Sequence, residues 1–481
     1  MHLLDLIADT DSQLIGERET DVTGLSTNTQ TLDPGEAYVA LKRARDGHEF
    51  VRHALDVGAA AVVVDHAMEV DASQVVVQST DAGLSSLART FYGRPADSLK
   101  VIGVTGTNGK TTTTYLIQAA LNAAGLSTGL LGTVEYRIGN RCISSSNTTP
   151  EAHELQRMLR EMVDAGCEAV VMQASSHGLS LNRLDGVCFD VGVFTNLTRD
   201  HLDFHGSFAE YAAAKASFFE NLDPSALAVI NVDDDSSDRM IRNCRATVVH
   251  YGRKESAQFR IRTFDTDFRG SKMVIESPDR EISGDLLLTG HFHQYNVVAA
   301  VAACRAMGIQ TETIVEALAK VQVPGRFEGI DVGQPFGVYV DYAHTPDGLI
   351  NALNAGRELA RCRLISVFGC GGDRDRGKRP EMAEASAELA DLTVVTSDNP
   401  RTEDQDTIIE DILLGLGDAP RLVEADRRMA IELALGEAEE GDLVVIAGKG
   451  HEDYQVIGRQ TIHFDDREVA REVLRKLGSG G

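Results

Sequence analysis

The sequence predicts an α/β protein of three domains, on three observations. The chain has 481 residues, which implies about three domains at roughly 150 residues each. Short apolar runs alternate with helical stretches, the pattern of parallel strands buried beneath helices. Two turn-rich breaks, Gly93-Arg94-Pro95-Ala96-Asp97 and Val323-Pro324-Gly325, divide the chain. The domains expected are therefore 1–97, 98–324 and 325–481.

The first domain carries the apolar runs Ala59–Val64 and Val75–Val77 between helical stretches, a small α/β unit. The second opens on Val101-Ile102-Gly103-Val104, a glycine-rich turn and a helix near Thr111–Ala124. Further strands are expected at Ala169–Met172, Val191–Thr195 and Leu227–Val232, with helical patterns such as Glu154–Ala165 between them. This is a P-loop ATPase-like parallel sheet. The third restarts the alternation with strands at Val338–Tyr342, Leu364–Phe368, Leu392–Thr396 and Leu443–Ala447, a Rossmann-like arrangement.

Composition narrows the partners. Lys and Arg total 46 against 73 Asp and Glu, a formal net charge of −27. That argues against a nucleic-acid binder or an anionic-lipid anchor. It does not exclude anionic ligands, because one pocket can be basic within an acidic protein. Apolar runs such as Val57–Val64 and Val297–Cys304 fall far short of the ~20 residues of a spanning helix. The start, MHLLDLIADTD, has no basic region and meets Asp5 early, unlike a signal peptide. The seven cysteines are scattered without a CxxC pair, which fits a reducing cytoplasm. No membrane partner is expected, and a monomer is.

The strongest local signal is Thr105-Gly106-Thr107-Asn108-Gly109-Lys110-Thr111-Thr112, between an expected strand and an expected helix. Glycines let backbone N–H groups turn toward phosphate oxygens, and the helix N-terminus adds its dipole. Lys110 suits the β/γ-phosphates of ATP and the Thr111 hydroxyl suits Mg²⁺. The strict pattern asks for glycine at 104, where Val104 stands, so the loop is a variant.

These residues resemble the ATP loop of the Mur ligases and of folylpolyglutamate synthetase. Further segments are similar to the Mur branch that adds the third residue of the peptidoglycan stem peptide, the MurE type. They include Asn147-Thr148-Thr149-Pro150, Ser175-Ser176-His177, Phe194–Asp203, Tyr211-Ala-Ala-Ala-Lys215, Gly325-Arg326-Phe327-Glu328 and Asp341–Pro346. Gly371–Pro380, Asp398-Asn399-Pro400-Arg401 and Gly448–Glu452 complete the likeness, which runs through essentially the whole chain.

The resemblance implies ATP-driven amide formation. A carboxylate takes the γ-phosphoryl group, and an amine then displaces phosphate from the acyl phosphate. The acceptor implied is UDP-N-acetylmuramoyl-L-alanyl-D-glutamate and the amine meso-diaminopimelate. The first domain then binds the uridine nucleotide, with Asn28 among its contacts. Asn147, Thr148, Thr149, Ser175 and Arg183 match positions that hold the muramoyl dipeptide. Asn296, Arg326, Asp341 and His344 match positions around ATP. Arg379, Asp398, Asn399, Pro400, Arg401, Gly448 and Glu452 match the amino-acid site, with Arg401 suited to the distal carboxylate and Glu452 to the distal ammonium.

A second Mg²⁺ site is implied at His201 and Lys215, the lysine as a carbamate formed with CO₂. That reaction requires an uncharged amine, hence burial. Taken alone, Lys215 reads as a surface lysine on an alanine-rich helix, and His201 as an ordinary polar residue. Ser175 and the threonines, taken alone, read equally as helix caps.

Three departures stand out. Gln173 occupies the place of a Mg²⁺-binding glutamate, so one negative charge is lost and a higher Mg²⁺ requirement is expected. Asn28-Thr29-Gln30 replaces a DSR triplet, and Leu181 replaces a glutamine. Two other readings share parts of the pattern. Another amide ligase such as folylpolyglutamate synthetase is opposed by the first domain and the DNPR segment. A non-catalytic nucleotide-binding paralogue is opposed by Lys110, His201 and Lys215.

Overall fold

The run Val101–Val104 becomes the strand Lys100–Thr105 in the computed structural model, which describes residues 1–17 and 19–479. Val101, Ile102 and Val104 are fully buried, each contributing about 1.5–3 kcal/mol of apolar burial. The strand lies between Val191–Phe194 and Ala169–Gln173, parallel to both. By packing, the chain divides into two compact units. One is Met1–Arg260 with Asn296–Ile314, the other Ile261–Tyr295 with Val315–Gly481.

The first unit carries two sheets. Residues Ser12–Ile15, Ser73–Val77, Ala61–Val64, Ala37–Val39 and Leu25–Ser26 form one, in that spatial order. All its neighbours run parallel except the first pair. The turn after it is made by Gly93 and Arg94, both at positive φ, and a 3₁₀ turn Pro95–Ser98. In the second sheet the parallel neighbours run Thr247–Gly252, Leu227–Asn231, Val191–Phe194, Lys100–Thr105, Ala169–Gln173 and Thr128–Leu131. Two antiparallel strands, Glu135–Ile138 and Arg141–Ser144, extend its far edge.

In the second unit, parallel strands run Gly337–Asp341, Leu443–Ala447, Leu364–Phe368, Leu392–Val395 and Arg421–Val423, with Glu328–Gly329 antiparallel at one edge. Gly270–Glu276 lies between Phe259–Asp267 and Glu281–Leu286, antiparallel to the latter. A small hairpin joins Tyr454–Ile457 to Gln460–His463.

In both units the sequence motifs follow the carboxyl ends of the parallel strands, where open α/β sheets hold ligands. The loop Thr105–Lys110 follows Lys100–Thr105; the DNPR segment follows Leu392–Val395; Gly448–Glu452 follows Leu443–Ala447. Several motifs contain a non-glycine residue at positive φ: His201, Phe327, Asp373 and Arg401. Each costs about 1–2 kcal/mol and persists only where surrounding contacts hold it. Among the described residues no helix is long and apolar enough to cross a membrane.

Candidate active site

The phosphate loop is shaped by two glycines and held by a neighbouring segment. Val104 stays in the strand, paired with Val193 and Gln173, so the turn begins two residues later than the strict pattern asks. Gly106 makes it at φ +148°, and a Cβ there would lie 1.9 Å from Thr195 Oγ1. Gly109 sits at φ +83°, where a Cβ would meet Asn296 Oδ1 at 2.2 Å. The helix Lys110–Ala123 starts directly after it, leaving first-turn N–H groups without intrahelical partners. Its four consecutive threonines, poor helix formers, are all buried, so packing overrides propensity.

The segment after Val191–Phe194 braces the loop. Thr195 Oγ1 donates to Asn108 O at 2.6 Å, and Asn196 Oδ1 accepts from Asn108 N at 2.9 Å. Thr107 N donates to Asn196 O at 2.8 Å. Thr198 N donates to Thr107 Oγ1 at 3.0 Å. Sequence reading assigned Thr195, Asn196 and Thr198 no role, because their partners lie some 90 residues away along the chain.

Lys215 reaches the same loop from below. Its helix, Phe208–Glu220, buries Tyr211, Ala212, Lys215, Ala216, Phe218 and Phe219, a stripe at helical spacing. Phe218 packs where a Cβ on Gly103 would stand, at 2.5 Å, so the glycine lets this helix approach the strand closely. Lys215 Nζ is then 2.8 Å from Gly106 O. Lys110 Nζ donates to the same oxygen at 2.9 Å and to Thr107 O at 2.7 Å. Burial first, then the Lys110 charge, pushes the Lys215 amine well below the ordinary lysine range. Tyr211, one turn earlier, hydrogen-bonds Thr107 Oγ1 at 2.9 Å and presents its ring 4.7 Å from Lys215 Nζ. The Tyr-x-x-x-Lys spacing carried that signal.

His201 lies at φ +52° and is half-exposed. Its ring is 4.8 Å from that of His177 and 6.3 Å from that of Tyr211. Desolvation, with Lys110 and Lys215 nearby, holds its imidazole below the ordinary value, although Asp200 opposes this. Desolvation and the neighbouring histidines push His177 down to about 4.

Gln173 is buried at the end of its strand. Its amide donates to Thr111 Oγ1 at 3.2 Å, and its Oε1 accepts from Thr133 Oγ1 at 3.0 Å. Thr133 in turn meets Thr148 Oγ1 at 3.0 Å. One chain of hydrogen bonds therefore joins the loop threonine to the Asn147–Thr149 segment. Thr149 Oγ1 donates to Gln173 O at 2.7 Å and meets Ser175 Oγ at 2.9 Å. Ser175 also caps the short helix Ser176–Ser180 through Gly178 N. Asn147 N donates to Tyr136 OH at 3.0 Å. Arg183 donates to Thr149 O at 2.8 Å and pairs with Glu151.

Asn28 lies apart, in an Asx turn whose Oδ1 accepts from Gln30 N at 3.0 Å. It lines a cavity of about 400 Å³ with Thr27, Thr29, Gln30, Tyr38, Gly47, Phe50, Glu151 and two arginines, Arg43 and Arg45. Arg43 pairs with Asp81 at 2.6 Å and lies 3.5 Å from Glu151. Arg45 stacks 4.3 Å above the Phe50 ring. Sequence reading passed over both arginines; the basic run Lys42-Arg43-Ala44-Arg45 was their signal. They restore cationic character to a region where Asn28-Thr29-Gln30 lacks it.

Asn296 is buried on the helix His293–Ala306, its Oδ1 accepting from Thr113 Oγ1 at 3.5 Å. In the second unit, Asp341 accepts from Phe327 N at 2.7 Å and Ala343 N at 2.9 Å. The Arg326 guanidinium lies 4.9 Å from the Tyr342 ring centre. His344 Nδ1 is 2.7 Å from Tyr342 O.

The amino-acid motifs do converge. Asn399 Nδ2 donates to Glu452 Oε2 at 2.9 Å, and its Oδ1 accepts from Val456 N at 2.9 Å. Lys449, fully buried, lies 3.2 Å from Glu452 Oε2, 3.3 Å from Asn399 Oδ1 and 3.7 Å from Asp398 Oδ1. Gly448, at φ +118°, backs onto Asp398. Arg401 follows Pro400 at φ +53°; its Nη1 donates to Gly372 O at 2.8 Å, leaving the rest of the half-buried fork available.

Arg379, expected at the amino-acid site, also holds two carboxylates of the protein. Its side chain is wholly buried and bonded to Glu403 at 2.9 Å and Asp411 at 2.8 Å. Its Nε has no hydrogen-bond partner among the described residues, so one donor of the guanidinium stays unused. Arg427 and Asp466, which sequence reading missed, form a fully buried pair at 2.7 Å, and Arg427 also donates to Ser397 O and Ala447 O. That guanidinium ties together the ends of two strands carrying the site.

Known proteins are similar to this chain over nearly its whole length. The sequence matches the Mur ligase middle domain over residues 104–304 and the Mur ligase glutamate ligase domain over 325–450. The UDP-N-acetylmuramoyl-L-alanyl-D-glutamate--2,6-diaminopimelate ligase of Solibacter usitatus is 45% identical, over 96% of this chain and 95% of that protein. The ligase of the same name from Geobacillus thermodenitrificans is 44% identical, with 95% of each covered. A solved structure of a ligase of this name superposes with a TM-score of 0.72, at 32% identity and 99% coverage of both chains. The chain belongs to the Mur ligase family, in the branch of ATP-dependent amide-bond-forming enzymes typified by these relatives.

Proposed function

We propose that this ligase joins meso-diaminopimelate to the D-glutamyl carboxylate of UDP-N-acetylmuramoyl-L-alanyl-D-glutamate, with ATP cleaved to ADP and phosphate. The observation that carries this reading is the convergence of Lys110 and Lys215 on one carbonyl oxygen of the phosphate loop. Two ammonium groups so placed repel each other in a dry site, so one amine stays uncharged. An uncharged, loop-facing lysine is what carbamate formation with CO₂ requires. Its Nζ lone pair bonds the CO₂ carbon, and a proton leaves.

The hard oxygens of Thr111 and Gln173, the His201 imidazole and a Lys215 carbamate suit Mg²⁺. The buried Thr105 hydroxyl, without a protein hydrogen-bond partner, lies in the same loop. When bound, Mg²⁺ neutralises phosphate charge as two anions approach. The chain's own groups supply the rest. Loop N–H groups cradle the phosphates, and Lys110 extends toward them by giving up its bonds to Gly106 O and Thr107 O. Thr148, Thr149, Ser175 and Arg183 orient the dipeptide so that its carboxylate oxygen bonds the γ-phosphorus as ADP leaves. Arg401 and Asn399 hold the distal end of diaminopimelate, with Glu452 on its ammonium. The free amine then attacks the acyl carbon, phosphate leaves and a proton is lost. Arg43 and Arg45 suit the diphosphate of the uridine nucleotide.

Phosphate release is expected only with ATP and both substrates together, and with a much higher KM when L-lysine replaces diaminopimelate. Equal turnover with L-lysine, or release independent of the amine, would overturn the assignment. The domain divisions 1–97, 98–324 and 325–481 are proposed to correspond to nucleotide-sugar, ATP and amino-acid handling, in a monomer acting in the cytoplasm.

Gln173 gives a second expected result. Gln173→Glu should lower the Mg²⁺ concentration for half-maximal turnover about tenfold. Restoring one charge near a divalent ion contributes roughly 1–2 kcal/mol. Calorimetric Mg²⁺ titration of the nucleotide-free protein reads the same shift; superimposable curves for both proteins would contradict it.

A further inference from the structure

We propose a second metal site, for a first-row divalent ion of the zinc class, on His48, Asp65 and His66 in the N-terminal sheet region. One ligand atom from each of these side chains lies within 4.8 Å of the others. His48 Nε2 is 3.2 Å from Asp65 Oδ1, and His66 Nδ1 is 2.5 Å from it. Metal–ligand bonds of about 2.1 Å place tetrahedral ligands about 3.4 Å apart. The first separation already fits. His66 Nδ1 donates to Asp65 Oδ1 here, so ion binding moves its proton to Nε2 as the exposed ring opens to meet the second.

Groups that would orient these ligands are already in place. His48 is buried, and its Nδ1 lies 2.6 Å from Asp46 Oδ1. A carboxylate only accepts, so Nδ1 carries the proton. The Nε2 lone pair accepts from Asp65 N at 3.2 Å, a long bond that an ion at this point would replace. Carboxylate–histidine pairs of this kind orient metal-bound imidazoles and raise their basicity. Asp46 is itself held by His48 N at 3.0 Å, as the cap of the 3₁₀ turn Gly47–Phe50. Lys42 Nζ grips the other Asp65 oxygen at 2.5 Å, leaving Oδ1 toward the imidazoles. The two rings stack with centroids 4.8 Å apart. Two nitrogens and one carboxylate oxygen favour zinc, cobalt, nickel or copper over magnesium.

The elements explain what the ion does. His48 lies in the turn after the basic run, whereas Asp65 and His66 directly follow the strand Ala61–Val64. An ion here staples that turn to the sheet, behind the cavity that Gly47 and Phe50 line.

Zinc binding by the intact protein, titrated in excess Mg²⁺ against a chromophoric chelator, tests this. His66→Ala, at an exposed position, should bind one zinc equivalent fewer than wild type. Asp46→Asn should keep the stoichiometry and the helix cap but weaken this equivalent at least tenfold. Cobalt substituted for zinc should show visible bands without sulfur charge transfer, and these should vanish in His66→Ala. Zinc stoichiometry and affinity identical in wild type and His66→Ala would overturn the site, assigning any bound metal to cysteines or to the His177, His201 and His205 cluster.

Discussion

Lys215→Met should lose at least about 10³-fold in kcat, the scale of removing a preorganised electrostatic group from a dry active site. Yet the nucleotide-free variant should melt no lower than wild type. Both results follow from the same burial. Desolvation and Lys110 depress the folded-state pKa of this amine, so the unfolded chain binds the extra proton. Between that depressed value and the unfolded value of about 10.4, stability rises with pH and is penalised as pH falls. Methionine removes the penalty at neutral pH and fills similar space, while Gly106 O keeps its bond from Lys110. Ligation by wild type should decline in CO₂-depleted buffer and recover with bicarbonate. ¹³C-bicarbonate should produce a carbamate resonance absent from Lys215→Met. A variant that still ligates, or melts well below wild type, would contradict this account.

The second large effect is expected at Arg401. Arg401→Asn keeps a residue that tolerates the positive φ found there but removes the guanidinium. Losing one partner of a desolvated charge pair costs about 2–5 kcal/mol. KM for meso-diaminopimelate should therefore rise at least about 30-fold, with KM for ATP unchanged. L-lysine, which has no distal carboxylate, should lose nothing, so discrimination between the two amines should collapse. Arg401→Lys restores the charge but not the two-pronged geometry and should recover only part of the loss. Equal KM changes for both amines would place Arg401 in structure rather than in selectivity. Arg379 makes the useful contrast. Its guanidinium is bonded to Glu403 and Asp411, so Arg379→Ala should lower the melting temperature as well as activity, because two carboxylates lose their partner.

The acidic composition now has a local counterpart. Against a net charge of −27, Lys110, Arg43, Arg45, Arg183 and Arg401 stand at the positions where anionic substrate groups are proposed to bind. Arg183 and Arg43 share Glu151, so an arriving anion trades against an internal carboxylate rather than meeting a bare cation. Net charge therefore describes the solvated exterior and says little about the site.

The sequence by itself determined the α/β class, the strands that carry the site and the phosphate loop. Their signals are local: continuous apolar runs such as Val101–Val104 and Leu443–Ala447, and glycines beside a lysine at a strand end. Half-buried strands such as Gly270–Glu276, which alternates buried and exposed residues, leave no continuous apolar run in the sequence. Tertiary structure alone decided the rest. Lys215 looks like a surface lysine on its alanine-rich helix and becomes a buried neighbour of Gly106, its pKa well depressed, where Gly103 admits Phe218. Arg379 reads as a substrate ligand, and in the fold its guanidinium is also bonded to Glu403 and Asp411. Thr195 and Asn196 look like ordinary loop residues and prove to brace the phosphate loop. A side chain's charge state and free valences depend on neighbours far away along the chain, and burial sets their strength.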